Sequence, residues 1–368
     1  MDLSDHNPPH QNSPLYERLK ALPKVELHRH LEGSLRLSTL ADVAREYRFE
    51  LPGYEVEDFR PLVQIMPDDE HSSQAFLSKF ETLRQFYQSQ EVIERVAYEA
   101  VADAAADNIV YMELRFTPIA LAREKGFELP EVASWVIDAV DRAKADFPID
   151  VRLIVSMNRH ESVELGAEHV DIAIQCMDRG VVGVDLAGAE NLFPGAPFHS
   201  LFERAREAGL SVTIHAGEWA GPASISEAID VLGATRLGHG VRIVEDLAVA
   251  RQALERGTVF EVCPTSNVQS GVAPSFEEHP LARMNTMGLL TTVNTDDPGI
   301  SSIKLTDEYV ACVERLGLTI DDLKRQILYA AQAAFLPASD QAALMDRLAA
   351  ELYAPGKPTE TEFPAGND

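Results

Sequence analysis

The feature that most restricts the fold of this sequence is an alternation of short apolar, β-branched runs with longer helical patterns. Seven of the eight runs have the length and composition of buried strands, while Arg236–His239 is assigned mainly by its position in the series. The predicted strands are Val25–Leu31, Ile109–Phe116, Val151–Ser156, Val181–Leu186, Ser211–His215, Arg236–His239, Val259–Val262 and Leu290–Asn294. Eight strands separated by helices predict an α/β fold, a parallel (β/α)8 TIM barrel.

Helical patterns fill the intervals between these strands. They cover Glu91–Asp107, Pro130–Asp146, Ser162–Arg179, Phe198–Ala208, Ser224–Leu232 and Asp246–Arg256, and after the last strand Ile320–Leu336 and Ser339–Leu352. Gly180, Gly209 and Gly257 follow three of them, where a C-terminal cap is expected. The segment 34–90 is too long for a simple crossover, so we expect extra helices over the C-terminal face of the barrel.

The ends of the chain differ in composition from the rest. Residues 1–14 and 354–368 are polar and rich in proline, which predicts flexible tails on either side of a single domain at 15–353. The opening letters, MDLSDHNPPHQNSP, lack the basic and apolar regions of a signal peptide. The cysteines Cys176, Cys263 and Cys312 form no paired framework, and we expect a reducing cytoplasm.

The net charge of the chain restricts the kinds of molecule that it can bind. The 59 acidic residues outnumber the 32 lysines and arginines, which gives a formal net charge of -27. A field of that sign repels phosphate backbones and anionic membrane surfaces. No apolar run reaches the roughly 18 residues that a membrane span needs. We therefore expect neither a nucleic acid polymer nor a membrane as partner, and we attribute the acidity to ordinary solubility.

Metal-competent side chains occur where strands end. His28 and His30 are two residues apart at the end of the first strand, so both imidazoles face one rim of the barrel. Alone, this pair is typical of satisfied core histidines. His215 ends the fifth strand and Asp296 follows the eighth, which brings four ligands to the same rim.

Nitrogen and carboxylate ligands without thiolate favour zinc, one ion per chain. Such an ion lowers the pKa of a bound water to about 7 and so supplies hydroxide at neutral pH. Cytidine-type deaminases, which are also zinc enzymes, are excluded because Cys263-Pro264 is not PCxxC and HAGE is not HxE.

Further candidates share this rim, and each also has an ordinary structural interpretation. Glu218 follows His215 in HAGE and can act as an acid if a dry pocket raises its pKa, or it is a surface loop residue. His239, between two glycines, can reach the attacking water as base or orienter, or it is a turn histidine. Asp297 can meet substrate or cap a helix, and Gly188 can bring a backbone N–H to a ligand or lie in a plain loop.

Together these motifs resemble the adenosine deaminase family. The segments KVELHRHLEGSL, FLSKF, VYMELRFTP, DLAGAE, HAGE, LGHG, FEVCP and NTDDP occur in the order seen in that family, over about residues 20–310. The resemblance implies a zinc-dependent enzyme that hydrolytically deaminates adenosine, and also 2′-deoxyadenosine, to the corresponding inosine and ammonia. It also implies a role in purine salvage.

The resemblance also implies a role for each site residue. His28, His30, His215 and Asp296 match the zinc ligands. Glu218 matches the acid that protonates the purine N1, His239 the group that orients or deprotonates the attacking water, and Asp297 the carboxyl that bonds N7. The Gly188 amide matches the contact to N3. The apolar lid over the ligand corresponds to Phe76, Leu77 and Phe80.

One position departs from the family pattern. Glu32 stands where members that act on adenosine have an aspartate that contacts the ribose 5′-hydroxyl, and glutamate there resembles members acting on free adenine or on another adenosine derivative. DLAGAE and NTDDPGIS instead resemble the adenosine-acting branch, which we favour. A structural alternative is that Glu32 caps a following helix through Gly33-Ser34.

Two other classes of barrel protein fit part of the pattern. A two-metal amidohydrolase or phosphotriesterase needs a bridging lysine or similar ligand after the fourth strand, where this chain has Asp185-Leu186-Ala187-Gly188. A catalytically silent nucleoside-binding barrel, or an extracellular factor, is expected to lack at least one catalytic group, and this chain has them all. The absence of that lysine and the presence of every catalytic group both favour the deaminase.

Overall fold

The computed structural model describes residues 13–50 and 53–354. The tails predicted at 1–14 and 354–368 therefore lie almost entirely outside the described residues. At the edge of the first, Ser13 caps a helix that begins at Pro14, and its hydroxyl accepts the Tyr16 N–H at 3.0 Å.

Eight parallel strands pair in sequence order from first to last, which confirms the predicted (β/α)8 barrel. Three of them coincide with the predicted runs, and the others differ by one or two residues at their ends. The strands are β1 (Lys24–His30), β2 (Ile109–Phe116), β3 (Asp150–Asn158), β4 (Val181–Ala187), β5 (Ser211–Ala216), β6 (Arg236–His239), β7 (Val259–Val262) and β8 (Leu290–Val293).

Seventeen α-helices surround or follow these strands in the described part of the chain. They are α1 (Pro14–Lys20), α2 (Leu37–Tyr47), α3 (Val56–Val63), α4 (Ser73–Leu83), α5 (Gln90–Ala106), α6 (Pro118–Ala122), α7 (Leu129–Asp146), α8 (Val163–Gln175), α9 (His199–Ala208), α10 (Pro222–Asp230), α11 (Leu247–Arg256), α12 (Pro264–Gln269), α13 (Leu281–Thr286), α14 (Pro298–Ser301), α15 (Leu305–Glu314), α16 (Ile320–Ala333) and α17 (Ala338–Leu352). None of them is long and apolar enough to span a membrane.

The predicted helices are present, with small corrections. The extra helices expected in 34–90 are α2, α3 and α4. The helix predicted to reach Arg179 ends at Gln175 and continues as a short 3-10 turn. The glycine caps are confirmed, since Gly209 and Gly257 end α9 and α11 with φ of 100° and 65°.

The barrel closes at residues just beyond β8. The Asp296 N–H donates to the His28 carbonyl at 2.9 Å, and the His30 N–H donates to the Asp296 carbonyl at 2.8 Å. Asp296 makes both bonds from a left-handed backbone conformation with φ of 63°, which few non-glycine residues adopt. The closing bonds therefore position a carboxylate directly beside two histidines.

Charged side chains, buried and paired, occupy part of the barrel interior. Arg236 contacts Glu113 and donates from Nε to Glu261 Oε1 at 2.7 Å. Arg115 donates to Glu261 Oε2 at 2.8 Å. Breaking a buried pair leaves an uncompensated charge, so these strands depend on one another. The network also holds Glu261 within hydrogen-bond distance of His28 on β1.

Candidate active site

Four predicted ligands converge at the C-terminal ends of β1, β5 and β8. The ligand atoms of His28, His30, His215 and Asp296 all lie within 4.8 Å of one another. Asp296 Oδ1 is 3.2 Å from His28 Nε2 and 3.3 Å from His30 Nε2, and the Nε2 atoms of His30 and His215 are 3.2 Å apart. All four side chains are buried. The Ser266 hydroxyl donates to the other Asp296 oxygen at 2.7 Å and so orients that carboxylate.

Two buried carboxylates fix the orientation of two of these imidazoles. His28 Nδ1 is 2.8 Å from Glu261 Oε2, and His215 Nδ1 is 3.0 Å from Asp185 Oδ1. Although burial opposes ionisation, Arg115 and Arg236 hold the pKa of Glu261 well below its usual range. Glu261 is therefore a hydrogen-bond acceptor, and the His28 hydrogen is on Nδ1.

A cation fits the resulting set of donors. With hydrogens on Nδ1, His28 and His215 both turn an Nε2 lone pair toward Asp296. His28 Nε2 is buried and has no hydrogen-bond partner among the described residues. Unprotonated nitrogens beside a carboxylate, each oriented by an outer carboxylate, are the arrangement that zinc sites use.

A second set of potential ligands overlaps the first. His28, His239, Cys263 and Asp296 also lie within 4.8 Å of one another. Burial raises the pKa of the Cys263 thiol well above its usual value, and nearby Asp296 raises it further. Since the thiolate is the ligand form, the first set is the better metal site.

Glu218 lies in a loop that a neighbouring carboxylate holds. Glu190 Oε2 accepts the N–H groups of Glu218, Trp219 and Ala220, each at 3.0 Å, and its Oε1 accepts the Gly217 N–H at 2.6 Å. Burial raises the pKa of Glu218 well above its usual value, and the charges of Asp296 and Glu190 raise it further. The surface-loop interpretation of Glu218 is wrong, because the residue is buried and favours its acid form.

His239 ends β6 in a left-handed backbone conformation, with φ of 60°. Its Nε2 is 3.7 Å from Glu218 Oε2 and 3.8 Å from Asp296 Oδ2. The glycine before it leaves room for His28, since a Cβ at Gly238 would lie 2.7 Å from His28 Cε1. The close approach of the β6 backbone to His28 therefore requires glycine.

A cavity of about 340 Å³ opens beside these groups. All the predicted site residues except His28 line it, and His28 lies behind Asp296. The predicted lid residues lie on α4, where Phe76 is buried and its ring centroid is 6.4 Å from that of Phe80. Gly188 lines the cavity with φ of 97°, a conformation that favours glycine.

Two of the residues that line this cavity have a carboxyl oxygen without a hydrogen-bond partner in the described chain. Asp297 Oδ1 and Glu32 Oε2 are buried without a hydrogen-bond partner in the described chain. Burial, with Asp296 and Glu32 nearby, raises the pKa of Asp297 well above its usual value. Burial also raises the pKa of Glu32 to about 7. Both groups are therefore available to hydrogen-bond a polar ligand.

The structural alternative for Glu32 is wrong. α2 begins at Leu37 with Arg36 as its N-cap, and Glu32 takes no part in that cap. Glu32 Oε1 instead accepts the Thr117 N–H at 2.5 Å, beyond the end of β2. This bond holds the side chain against the cavity wall.

Several residues of the site were not predicted from the sequence. Asp185 and Glu190 lie within DLAGAE and Glu261 lies within FEVCP, but no role was predicted for these three carboxylates. Asn267 and His279 lie in no quoted motif, although Asn267 contacts His239. A buried polar residue inside an apolar strand is the signal that could have indicated Asp185 and Glu261.

Known proteins with similar sequences belong to the family that the motifs resemble. The profile of the adenosine deaminase family matches residues 23–351. An adenosine deaminase of Serratia proteamaculans is 38% identical over 327 residues, which cover 89% of this chain and 98% of that protein.

Two solved structures share the fold. An adenine deaminase from Arthrobacter aurescens superposes with a TM-score of 0.82 at 28% identity, over 89% of this chain and 98% of that one. A cog1816 amidohydrolase from Burkhoderia ambifaria, solved with bound Zn, superposes with a TM-score of 0.83 at 28% identity, over 92% and 93% of the two chains.

Proposed function

The chain belongs to the adenosine deaminase family and is an aminohydrolase, and from that premise we propose that its substrates are adenosine and 2′-deoxyadenosine. The reaction exchanges the 6-amino group of the purine for oxygen and releases ammonia. The observation that carries the proposal is a cluster of four buried ligands, three of which line the same cavity as a buried acid, Glu218.

His28, His30, His215 and Asp296 are the residues that would hold one zinc ion. When bound, zinc would lower the pKa of a water and so supply the nucleophile for purine C6. Glu261 and Asp185 accept hydrogen bonds from Nδ1 of His28 and His215, which would leave Nε2 of each free to bind the ion. These contacts support zinc as the metal and a single ion per chain.

Glu218 supplies a proton to the purine ring. Burial raises its pKa well above the usual value and so favours the acid form, which can protonate N1. Protonation of N1 withdraws electrons from C6, and C6 becomes more open to attack. The backbone N–H groups of the loop donate to Glu190, and these hydrogen bonds keep the acid at a fixed position relative to His239.

The purine is oriented by groups on the opposite wall. The Asp297 carboxyl, favoured in its neutral form, can donate to N7 from the oxygen that has no protein partner. The Gly188 N–H is assigned to N3. Phe76, Leu77 and Phe80 would cover the ring and exclude water, which strengthens each of these polar contacts.

Glu32 supports a nucleoside over a free base. Its Oε1 is committed to the Thr117 N–H, while Oε2 is buried at the cavity with no protein donor. A ribose hydroxyl is a donor that would satisfy this oxygen, whereas free adenine could offer only a ring N–H in place of the sugar. We therefore assign Glu32 to the sugar.

Free adenine is the second candidate substrate. Glutamate at position 32 resembles members that act on adenine, and the Arthrobacter structure is that of an adenine deaminase. Another adenosine derivative, altered at the 5′ position, would meet the same residue.

Ammonia release by the zinc-loaded protein tests the proposal. We would compare kcat/KM for adenosine, 2′-deoxyadenosine, 5′-modified adenosines and adenine, with cytidine as a control and zinc counted in the same sample. We expect adenosine and 2′-deoxyadenosine to be preferred, with about one zinc per chain. A higher kcat/KM for adenine or for a 5′-modified adenosine would replace the substrate assignment.

A further inference from the structure

A chain of buried hydrogen bonds leads from the backbone of α13 to His239. The Leu281 N–H donates to His279 Nδ1 at 3.1 Å, and His279 Nε2 is 3.2 Å from Asn267 Oδ1. Asn267 Nδ2 is in turn 3.0 Å from His239 Nδ1. Every side chain in this series is buried. We call these three contacts the tautomer relay.

The direction of the tautomer relay follows from its first member. A backbone N–H can only donate, so His279 Nδ1 must be an acceptor without hydrogen. Burial lowers the pKa of His279 to about 3, so the ring is neutral and its single hydrogen is on Nε2. That hydrogen faces Asn267, whose oxygen must accept it.

The orientation of Asn267 then determines the state of His239. With its oxygen toward His279, the Asn267 NH2 group points at His239 Nδ1 and donates to it. Turning the amide over would set NH2 against the His279 N–H, two donors face to face in a buried space. His239 Nδ1 is therefore an acceptor, and the hydrogen of the neutral ring is on Nε2.

We propose that Asn267 and His279 are positioning residues that hold His239 in its Nε2–H tautomer, so that His239 meets the attacking oxygen as a hydrogen-bond donor and not as a base. The role at the attacking oxygen rests on the proposed function. His239 Nε2 faces Glu218 and Asp296, at 3.7 and 3.8 Å, beside the metal ligands. An N–H directed there stabilises negative charge on the nucleophile before and during attack.

Nitrogen NMR of 15N-histidine-labelled, zinc-loaded protein tests the tautomer directly. The His239 signals are assigned as those lost in His239→Gln. We expect a neutral ring with hydrogen on Nε2, in the absence of any substrate. A neutral ring with hydrogen on Nδ1 would overturn the proposal. This readout does not depend on activity, so an inactive protein with the expected tautomer would count against the proposed function alone.

Substitutions in the tautomer relay test whether the tautomer of His239 controls kcat. Asn267→Asp sets a carboxylate oxygen against His239 Nδ1, which draws the hydrogen to Nδ1 or protonates the ring. We expect kcat to fall by roughly 10²- to 10⁴-fold, with KM changed only a few fold and zinc retained. His279→Gln keeps an N–H donor for Asn267, so the Nε2–H tautomer and most of kcat should survive.

Asn285→Asp is the matched control, because Asn285 lies on α13 outside the tautomer relay and bonds Thr291 and Gln326. It should leave the His239 signals and kcat unchanged. If Asn267→Asp keeps both the wild-type tautomer and wild-type kcat, the relay does not position His239. Should that variant fail to fold, the wild-type spectrum and His279→Gln still decide the question.

Discussion

A carboxylate oxygen of Glu190 accepts a hydrogen bond from the backbone N–H of Glu218 at 3.0 Å. The same carboxylate accepts three more N–H groups of that loop, so one side chain satisfies four consecutive donors. The relationship is also electrostatic, because the charge of Glu190 helps to raise the pKa of the acid that it holds. Glu190 thus fixes the position of Glu218 and adds to the burial and the Asp296 charge that raise its pKa.

Glu190→Gln is expected to disturb both the position and the raised pKa of Glu218. The amide replaces one acceptor oxygen by a donor group that opposes the loop N–H groups, which costs about 1–3 kcal/mol of stability. We expect kcat to fall by at least about tenfold with zinc retained, since a small displacement of an acid lowers the rate steeply. Glu203→Gln, on the exposed surface of α9, serves as control. Wild-type kcat in Glu190→Gln would show that the loop keeps its position without the carboxylate.

Glu218→Gln should abolish most activity and leave the metal in place. The amide cannot transfer a proton to N1, and general acid help is worth roughly 10²- to 10⁴-fold in rate. KM should change much less than kcat, because protonation matters most in the transition state. Steady-state kinetics with a zinc assay checks both. A kcat within a few fold of wild type would remove Glu218 from its proposed role.

Metal affinity should depend on the outer carboxylates as well as on the ligands. His28→Ala or Asp296→Ala should lose both zinc and activity. Asp185→Asn keeps an acceptor for His215 Nδ1 but removes its charge, so we expect zinc affinity to weaken by roughly 10- to 100-fold. Competition with a chelator measures this. Full activity after exhaustive chelation, with zinc shown to be absent, would contradict the metal proposal.

Substitution of Glu32 should affect the turnover of adenosine and of free adenine differently. Glu32→Ala removes the acceptor assigned to the ribose hydroxyl, a loss of about 1–3 kcal/mol, so kcat/KM for adenosine should fall by about tenfold or more. Turnover of adenine should hardly change, and Glu32→Asp should retain adenosine turnover. Equal losses for adenosine and adenine in Glu32→Ala would mean that the residue supports the site and does not read the sugar.

Glu308 should make stability depend on pH. Burial raises its pKa from about 4.5 to about 8, although it accepts the Thr265 N–H. Between these values the folded protein keeps a proton that the unfolded chain has lost, so stability falls as pH rises from 4.5 to 8. Glu308→Gln cannot ionise, and relative to wild type it should gain up to a few kcal/mol across that window. Urea denaturation at pH 5 and pH 8 measures the difference, and an equal difference at both would contradict the pKa shift.

The barrel could be predicted because its signals are local. Buried strands appear as short apolar runs, and long amphipathic helices appear as periodic patterns, each within one stretch of chain. The helices α1, α6, α12, α13, α14 and α15 were not predicted. Four of them, α6, α12, α13 and α14, have only four to six residues, a length that has little intrinsic stability and gives no clear periodic pattern.

The chemical types at the site were also present in the sequence by itself. Once eight parallel strands are assigned, their C-terminal ends must meet at one rim, so His28, His215 and Asp296 could be placed together without coordinates. The family motifs then implied a role for each.

Only the tertiary structure decided how those groups are oriented and charged. His28 depends on Glu261, 233 residues away, and Glu218 on Glu190, 28 residues away. Asn267 and His279 entered the site through hydrogen bonds that no spacing in the sequence encodes. The physical reason is that a hydrogen bond is directional and burial sets the protonation state, and both are determined only when distant side chains pack together.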